Sequence, residues 1–285
     1  MTTTTTPPLP LTAATEPRPR FVDLVAAEWI KLRSLRSTPW ALLITTLAVV
    51  AFNVGEAYDT YRYWSAEEAD EAGHRARFIR DGIPLQEAFT TNATMVLLLA
   101  AGAFGALAIV GEHRSGLIRT TFTAVPARRS LMAAKALVVA AVTAALGALV
   151  AGTSFWLTQA ILSGKGAGVS LGHPGAWRVV VASALLAPVA ALAGLALGAL
   201  LRHPGSAVVA AFVLLVLLPG VLSDDRHWSA VAGHTTPYQA WLRLVETGAP
   251  ATPFPWTTGG AWLVLALWPP LAAAVAVLAA DRRDV

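Results

Sequence analysis

Residues 111–129 read GEHRSGLIRTTFTAVPARR, and the segments on either side decide what this stretch is. Residues 91–110 and 131–161 are apolar, and the only charge in either run is Lys135, near the start of the second. The polar stretch holds Glu112, Arg114, Arg119, Arg128 and Arg129. A short basic loop between two membrane-length apolar runs belongs on the cytoplasmic side. Within it, residues 115–122 have the spacing for one or two helical turns, with Leu117, Ile118 and Phe122 to one side. Two readings follow: a rigid charged handle for a cytoplasmic partner, or a solvated loop that only fixes topology.

Composition agrees with a membrane setting. The chain is 55% hydrophobic and 13% charged, where an average soluble domain carries about 25% charged residues. Mean hydropathy is +0.58. Apolar blocks of membrane-crossing length, about 20 residues each, predict an all-α polytopic membrane protein. The basic residues flank apolar spans and form no single stripe, so the pI near 9.8 is not read as nucleic-acid binding. No cysteine is present, which removes disulfides and thiolate chemistry. The six histidines are scattered without an HExxH pair, so no metal site is expected.

Residues 1–20, MTTTTTPPLPLTAATEPRPR, are expected to form a disordered Thr/Pro-rich tail without a signal-peptide core. Residues 21–285 are expected to form one membrane domain. Residues 21–37, FVDLVAAEWIKLRSLRS, place Phe21, Leu24, Val25, Leu32 and Leu35 on one helical face, with Trp29 at its edge and Lys31 and Arg33 on the flanks. That is the pattern of a helix lying in the membrane interface. Glu28 falls near the middle of the apolar face. It either pairs with Lys31 or snorkels, or it bridges to a basic residue of the 111–129 loop.

Six spans are expected, at residues 38–55, 91–110, 136–161, 179–201, 205–222 and 261–280. Gly102 and Gly105 in the second permit close helix contact, as does the Gly194/Gly198 pair in the fourth, where Pro188 introduces a kink. Residues 56–90 form an acidic outer connection, with a soluble helix in SAEEADEAGHRARFIRD. Residues 223–260 form a second outer connection with a short amphipathic helix at 237–246, and Trp228, Trp241, Trp256 and Trp262 are expected at headgroup level. With both termini inside, 13 of the 21 Lys and Arg lie on the inner side, which fits the positive-inside rule.

The chain lacks GxxxxGK[ST], so it offers no P-loop for nucleotide and no catalytic residues are expected. The six spans, so drawn, contain no Asp, Glu, Lys, Arg or His. Ion-coupled transporters place such residues inside the bilayer as relays. A charge-free bundle with cytoplasmic handles has to draw energy for transport from another chain.

AAEWIKLRSLRSTPW before the first span and GEHRSGLIRTTFTAVPARRSLMAAK between the second and third, in this order, resemble the ABC-2 type permease subunit of ATP-binding-cassette transporters, particularly actinobacterial ones. The resemblance covers residues 21–285. It implies an interfacial helix before the first span, a coupling helix between spans two and three, and re-entrant-like outer helices between spans five and six. It also implies that Glu112, Arg114, Gly116 and Arg119 meet an ATPase subunit. The partners would be that ATPase, which carries ATP and Mg, and a second permease subunit, identical or a paralogue. This chain would be no enzyme and would hold no cofactor. Its place would be the plasma membrane, multi-pass, and its work mostly export. The 56–90 loop is longer than that pattern needs. A rival expectation is a non-transport membrane scaffold, sensor or immunity protein.

Overall fold

The computed structural model describes residues 20–64, 72–114, 128–222, 225–247 and 253–281. Every regular element among them is a helix. In order these are α1 (Phe21–Ser34), α2 (Ser37–Tyr63), α3 (Ala72–Arg80), α4 (Ile83–Glu87), α5 (Thr91–Arg114), α6 (Arg128–Ser163), α7 (Ala176–Leu201), α8 (Pro204–Val221), α9 (His227–His234), α10 (Pro237–Val245) and α11 (Thr258–Asp281). Six of them, α2, α5, α6, α7, α8 and α11, are long and apolar enough to cross a membrane. The chain is a multi-pass helical membrane protein. The tail of residues 1–19 and the turns read at 115–122 lie outside the described residues, as do 65–71 of the acidic run and the last four residues.

The core is built around α7. Most of its span is buried, against α5 on one side and α6 and α11 on others. Its contact with α5 is backbone on backbone. A Cβ on Gly105 would stand 1.8 Å from the Ala191 carbonyl oxygen, and one on Gly194 would stand 1.9 Å from that of Gly102. A Cβ on Gly198 would meet the Ala106 oxygen at 2.7 Å. Lipid tails are as apolar as leucine, so helices in a membrane associate through close packing and polar contacts, and small residues allow that approach.

Pro188 sits buried inside α7. Having no N–H, it cannot donate to the carbonyl of Ala184, four residues earlier. Gly147 of α6 comes up against that same oxygen, where a Cβ would lie 2.0 Å away. The carbonyl without its helical donor is therefore covered by a glycine Cα, a geometry suited to a weak C–H···O contact. In α8 the turn Val213–Leu217 is π-helical, and the Leu218 N–H reaches back five residues to Val213 O. Pro219 follows at once and offers no amide for a regular α ladder.

Two boundaries and the placement of one tryptophan differ from those expected. α2 continues past Gly55 to Tyr63, because nothing after Gly55 breaks it. At 27 residues it measures about 40 Å, longer than the ~30 Å hydrocarbon core. Its added turns carry Tyr58, Tyr61 and Arg62, and Lys165 lies over the Tyr61 ring at 4.8 Å. α6 starts at Arg128, two turns before the expected 136, so Lys135 is helical. α10 is amphipathic, but Trp241 is 1% exposed and donates through Nε1 to Ser183 Oγ at 2.9 Å. It is a core anchor, not a headgroup residue, because α10 packs flat against α7 and α11.

A polar knot fastens the end of the bundle where α2 meets α4 and the turn after α6. Asn53 is buried and donates through Nδ2 to Ser154 Oγ at 3.0 Å. Its Oδ1 accepts from the Thr90 N–H at 2.9 Å and the Thr90 hydroxyl at 3.1 Å. Gln159 donates to Pro84 O at 2.7 Å and accepts from Val169 N–H at 2.9 Å. The knot joins α2, α4, α5 and α6 with neutral groups alone.

The glycine contacts predict opposite signs for one chemical change. Gly105→Ala and Gly147→Ala should each destabilise the detergent-purified protein by about 1–3 kcal/mol, because a carbonyl oxygen has to be pushed away. Gly152→Ala, on the exposed face of α6 with nothing within 4 Å, should stabilise it by about 0.5–1 kcal/mol. Thermal unfolding of the three variants checks both signs.

Candidate functional site

At one end of the bundle the described cations outnumber the acids. The last turns of α5, α7 and α11 and the first turns of α6 and α8 share an apolar cluster that includes Ile109, Val110, Met132, Ala199, Ala207 and Ala276. α1 docks at this end on α6, through Leu24 against Leu131 and Ala134. Lys31, Arg33, Arg36, Arg128, Arg129, Lys135 and Arg202 therefore belong to one end, and the Asn53 knot to the other.

The buried feature of this end is an ion pair between elements far apart in sequence. Glu28 of α1 is 3% exposed. Its Oε2 lies 2.5 Å from Nζ of Lys135, whose side chain is 7% exposed. Its Oε1 lies 2.7 Å from Nζ of Lys31, which reaches toward solvent. The local sequence explains the seat. Leu24 and Glu28, one helical turn apart, are the two fully buried residues of α1. Leu131, Ala134 and Lys135 repeat at the spacing of a single face of α6. Each helix buries one charge on an apolar stripe, and neither could do so alone, because an isolated buried ion loses its hydration without compensation. Such a pair adds little net stability, yet removing one member leaves a stranded charge. Its main effect is to define where α1 sits.

The expected site residues divide accordingly. Glu28 meets Lys31, and its cross-helix partner is Lys135, six residues past Arg129 and outside the 111–129 loop. Trp29 and Arg33 are exposed. Phe21 and Leu35, members of the apolar face, are also exposed, so the face that α1 packs on protein is narrower than its apolar face. Glu112 and Arg114 fall in the last turn of α5, while Gly116 and Arg119 lie outside the described residues. The sequence signal for the missing partner was Lys135 itself, the lone charge of its apolar run, facing the lone acid of another apolar stripe. Among the described residues no three His, Asp or Glu side chains gather as a metal site.

Chemically, this end offers an apolar seat, a buried ion pair and a group of basic side chains. Ser154, a hydroxyl of the third span, is held by Asn53 at the opposite end. Comparison of the sequence with protein-family models and with curated proteins gave no match.

The ion pair predicts strong coupling. Lys135→Met alone should destabilise the protein by about 1–3 kcal/mol, because buried Oε2 of Glu28 loses its partner while Oε1 keeps Lys31, and Glu28→Leu combined with Lys135→Met should restore most of the loss. A double-mutant cycle by thermal unfolding checks it: additive losses would mean that the two side chains do not depend on each other.

Proposed function

We propose that the chain is the permease subunit of an ATP-driven exporter of the ABC-2 type, moved by nucleotide hydrolysis on a separate ATPase subunit. The observation that carries this reading is the seating of α1 on α6 by the buried Glu28–Lys135 pair, at the end of the bundle where the 111–129 loop emerges. A force applied to that loop reaches α5 and α6 directly, and α1 through the ion pair. The apolar middles of the six long helices carry no ionisable residue. That supports an external energy source over an ion-coupled cycle.

In this reading α1 is the interfacial connecting helix, and residues around 112–122 form the coupling helix, with Glu112, Arg114, Gly116 and Arg119 against the ATPase. α9 and α10 correspond to the family's outer re-entrant helices. Two permease chains, identical or paralogous, would pair with two ATPases in the plasma membrane, with both termini cytoplasmic. Coupling then requires two arrangements of the bundle that differ in ATPase contact. A pathway lined without charge suits amphipathic or lipid-like cargo.

Affinity purification of the tagged chain from its native host should bring down a P-loop ATPase. Glu112→Ala and Arg119→Ala should each weaken that recruitment by about tenfold or more, the cost of one charge-assisted contact, and reduce export with it. Normal recruitment and export by both variants would remove the loop from the coupling role.

A further inference from the structure

A groove of about 620 Å³ runs along the lipid-facing side of α6 and α11. On α6 it is lined by Arg129, Ala133, Ala136, Leu137 and Ala140, a single helical stripe, and Leu192 of α7 closes its floor. Alanines at 273 and 274 and the Pro269–Pro270 pair supply the facing wall. The hollow exists because small side chains face each other across the α6–α11 seam. Its only charged lining residue is Arg129, at one end; the prolines mark the other.

The dimensions select the occupant. From Arg129 to Ala140 the stripe rises about 16 Å, and from Pro269 to Leu278 about 14 Å. Each is half of the ~30 Å hydrocarbon core, the depth of one leaflet. A transmembrane helix of a second copy would need a channel of the full thickness. A single acyl chain needs one leaflet's depth, and its headgroup would then lie beside Arg129. Arg128 is adjacent in the chain, so the headgroup end of the groove is doubly basic. Basic residues at the end of a seam between membrane helices attract acidic headgroups.

We propose that this groove is a binding site for one anionic phospholipid, its acyl chain along the alanine stripe and its phosphate at Arg129. The site is lipid-facing and one leaflet deep, so its occupant acts as a bound structural lipid at the α6–α11 seam. It seals the seam next to the α6 turns that carry Lys135.

Native mass spectrometry of the full chain, released from micelles doped with equal phosphatidylglycerol and phosphatidylcholine of identical chains, tests this. Retained phosphatidylglycerol should exceed phosphatidylcholine, and Arg129→Gln should weaken its retention about fivefold, the share of one arginine at an anionic surface. Ala140→Phe, which fills the groove and keeps the charge, should abolish retention of both lipids at that site. Unfolding midpoints of both variants identify any that fail to fold, and Ala274→Phe serves as the second groove-filling variant. Equal retention of the two lipids by the unmodified chain would overturn the proposal, as would undiminished retention by folded Ala140→Phe and Ala274→Phe. A chain dimer that the filling variants dissociate would assign the groove to a second copy instead.

Discussion

The close approach of the α5 and α7 backbones is the constraint on which the rest of the architecture depends. Inside a membrane there is little hydrophobic gain in pressing one apolar helix against another. Contact has to come from dispersion and weak polar interactions at short range, and those require missing side chains. Gly102, Gly105, Gly194 and Gly198 provide them on facing surfaces. With α5 and α7 locked, α6, α8, α10 and α11 pack on the rest of α7, and Gly147 against Ala184 O fixes the first of these. The bulky residues of α2, α8 and α11, such as Trp40, Leu47, Val209, Leu263 and Leu271, then face outward.

That packing sorts the polar groups by end. At one end neutral side chains satisfy one another: Asn53, Thr90, Ser154 and Gln159 exchange hydrogen bonds with each other and with turn backbone. At the other, the buried polar contact is ionic, between Glu28 and Lys135. The distinction has consequences for motion. A neutral knot tying four elements resists displacement, whereas an ion pair between a surface helix and a span can be biased by nearby charge. In the proposed reading, the end bearing the basic loop is the one a partner moves.

Much of this was legible in the sequence, for physical reasons that also explain what was not. Span number followed from apolar length, since the bilayer sets a minimum of about 17 residues. The spacing of Gly194 and Gly198 put both on one face, where contact with α5 needs them. Boundaries were harder. Hydropathy locates where a helix leaves the hydrocarbon, not where its hydrogen bonds stop, so α2 runs on to Tyr63 and α6 begins at Arg128. Trp241 looks like a belt residue by type, and only the packing of α10 on α7 makes it core. Glu28 stood out as misplaced on its helix, but its partner lies 107 residues away, and helical periodicity carries no information across that distance.

In the proposed reading, the end of the bundle that carries α1 and the basic loop faces the cytoplasm. The natural absence of cysteine allows a direct measurement. A single Thr121→Cys chain, expressed in intact cells, is treated with a membrane-impermeant maleimide before and after permeabilisation. The account predicts labelling only after permeabilisation; labelling of intact cells would contradict it.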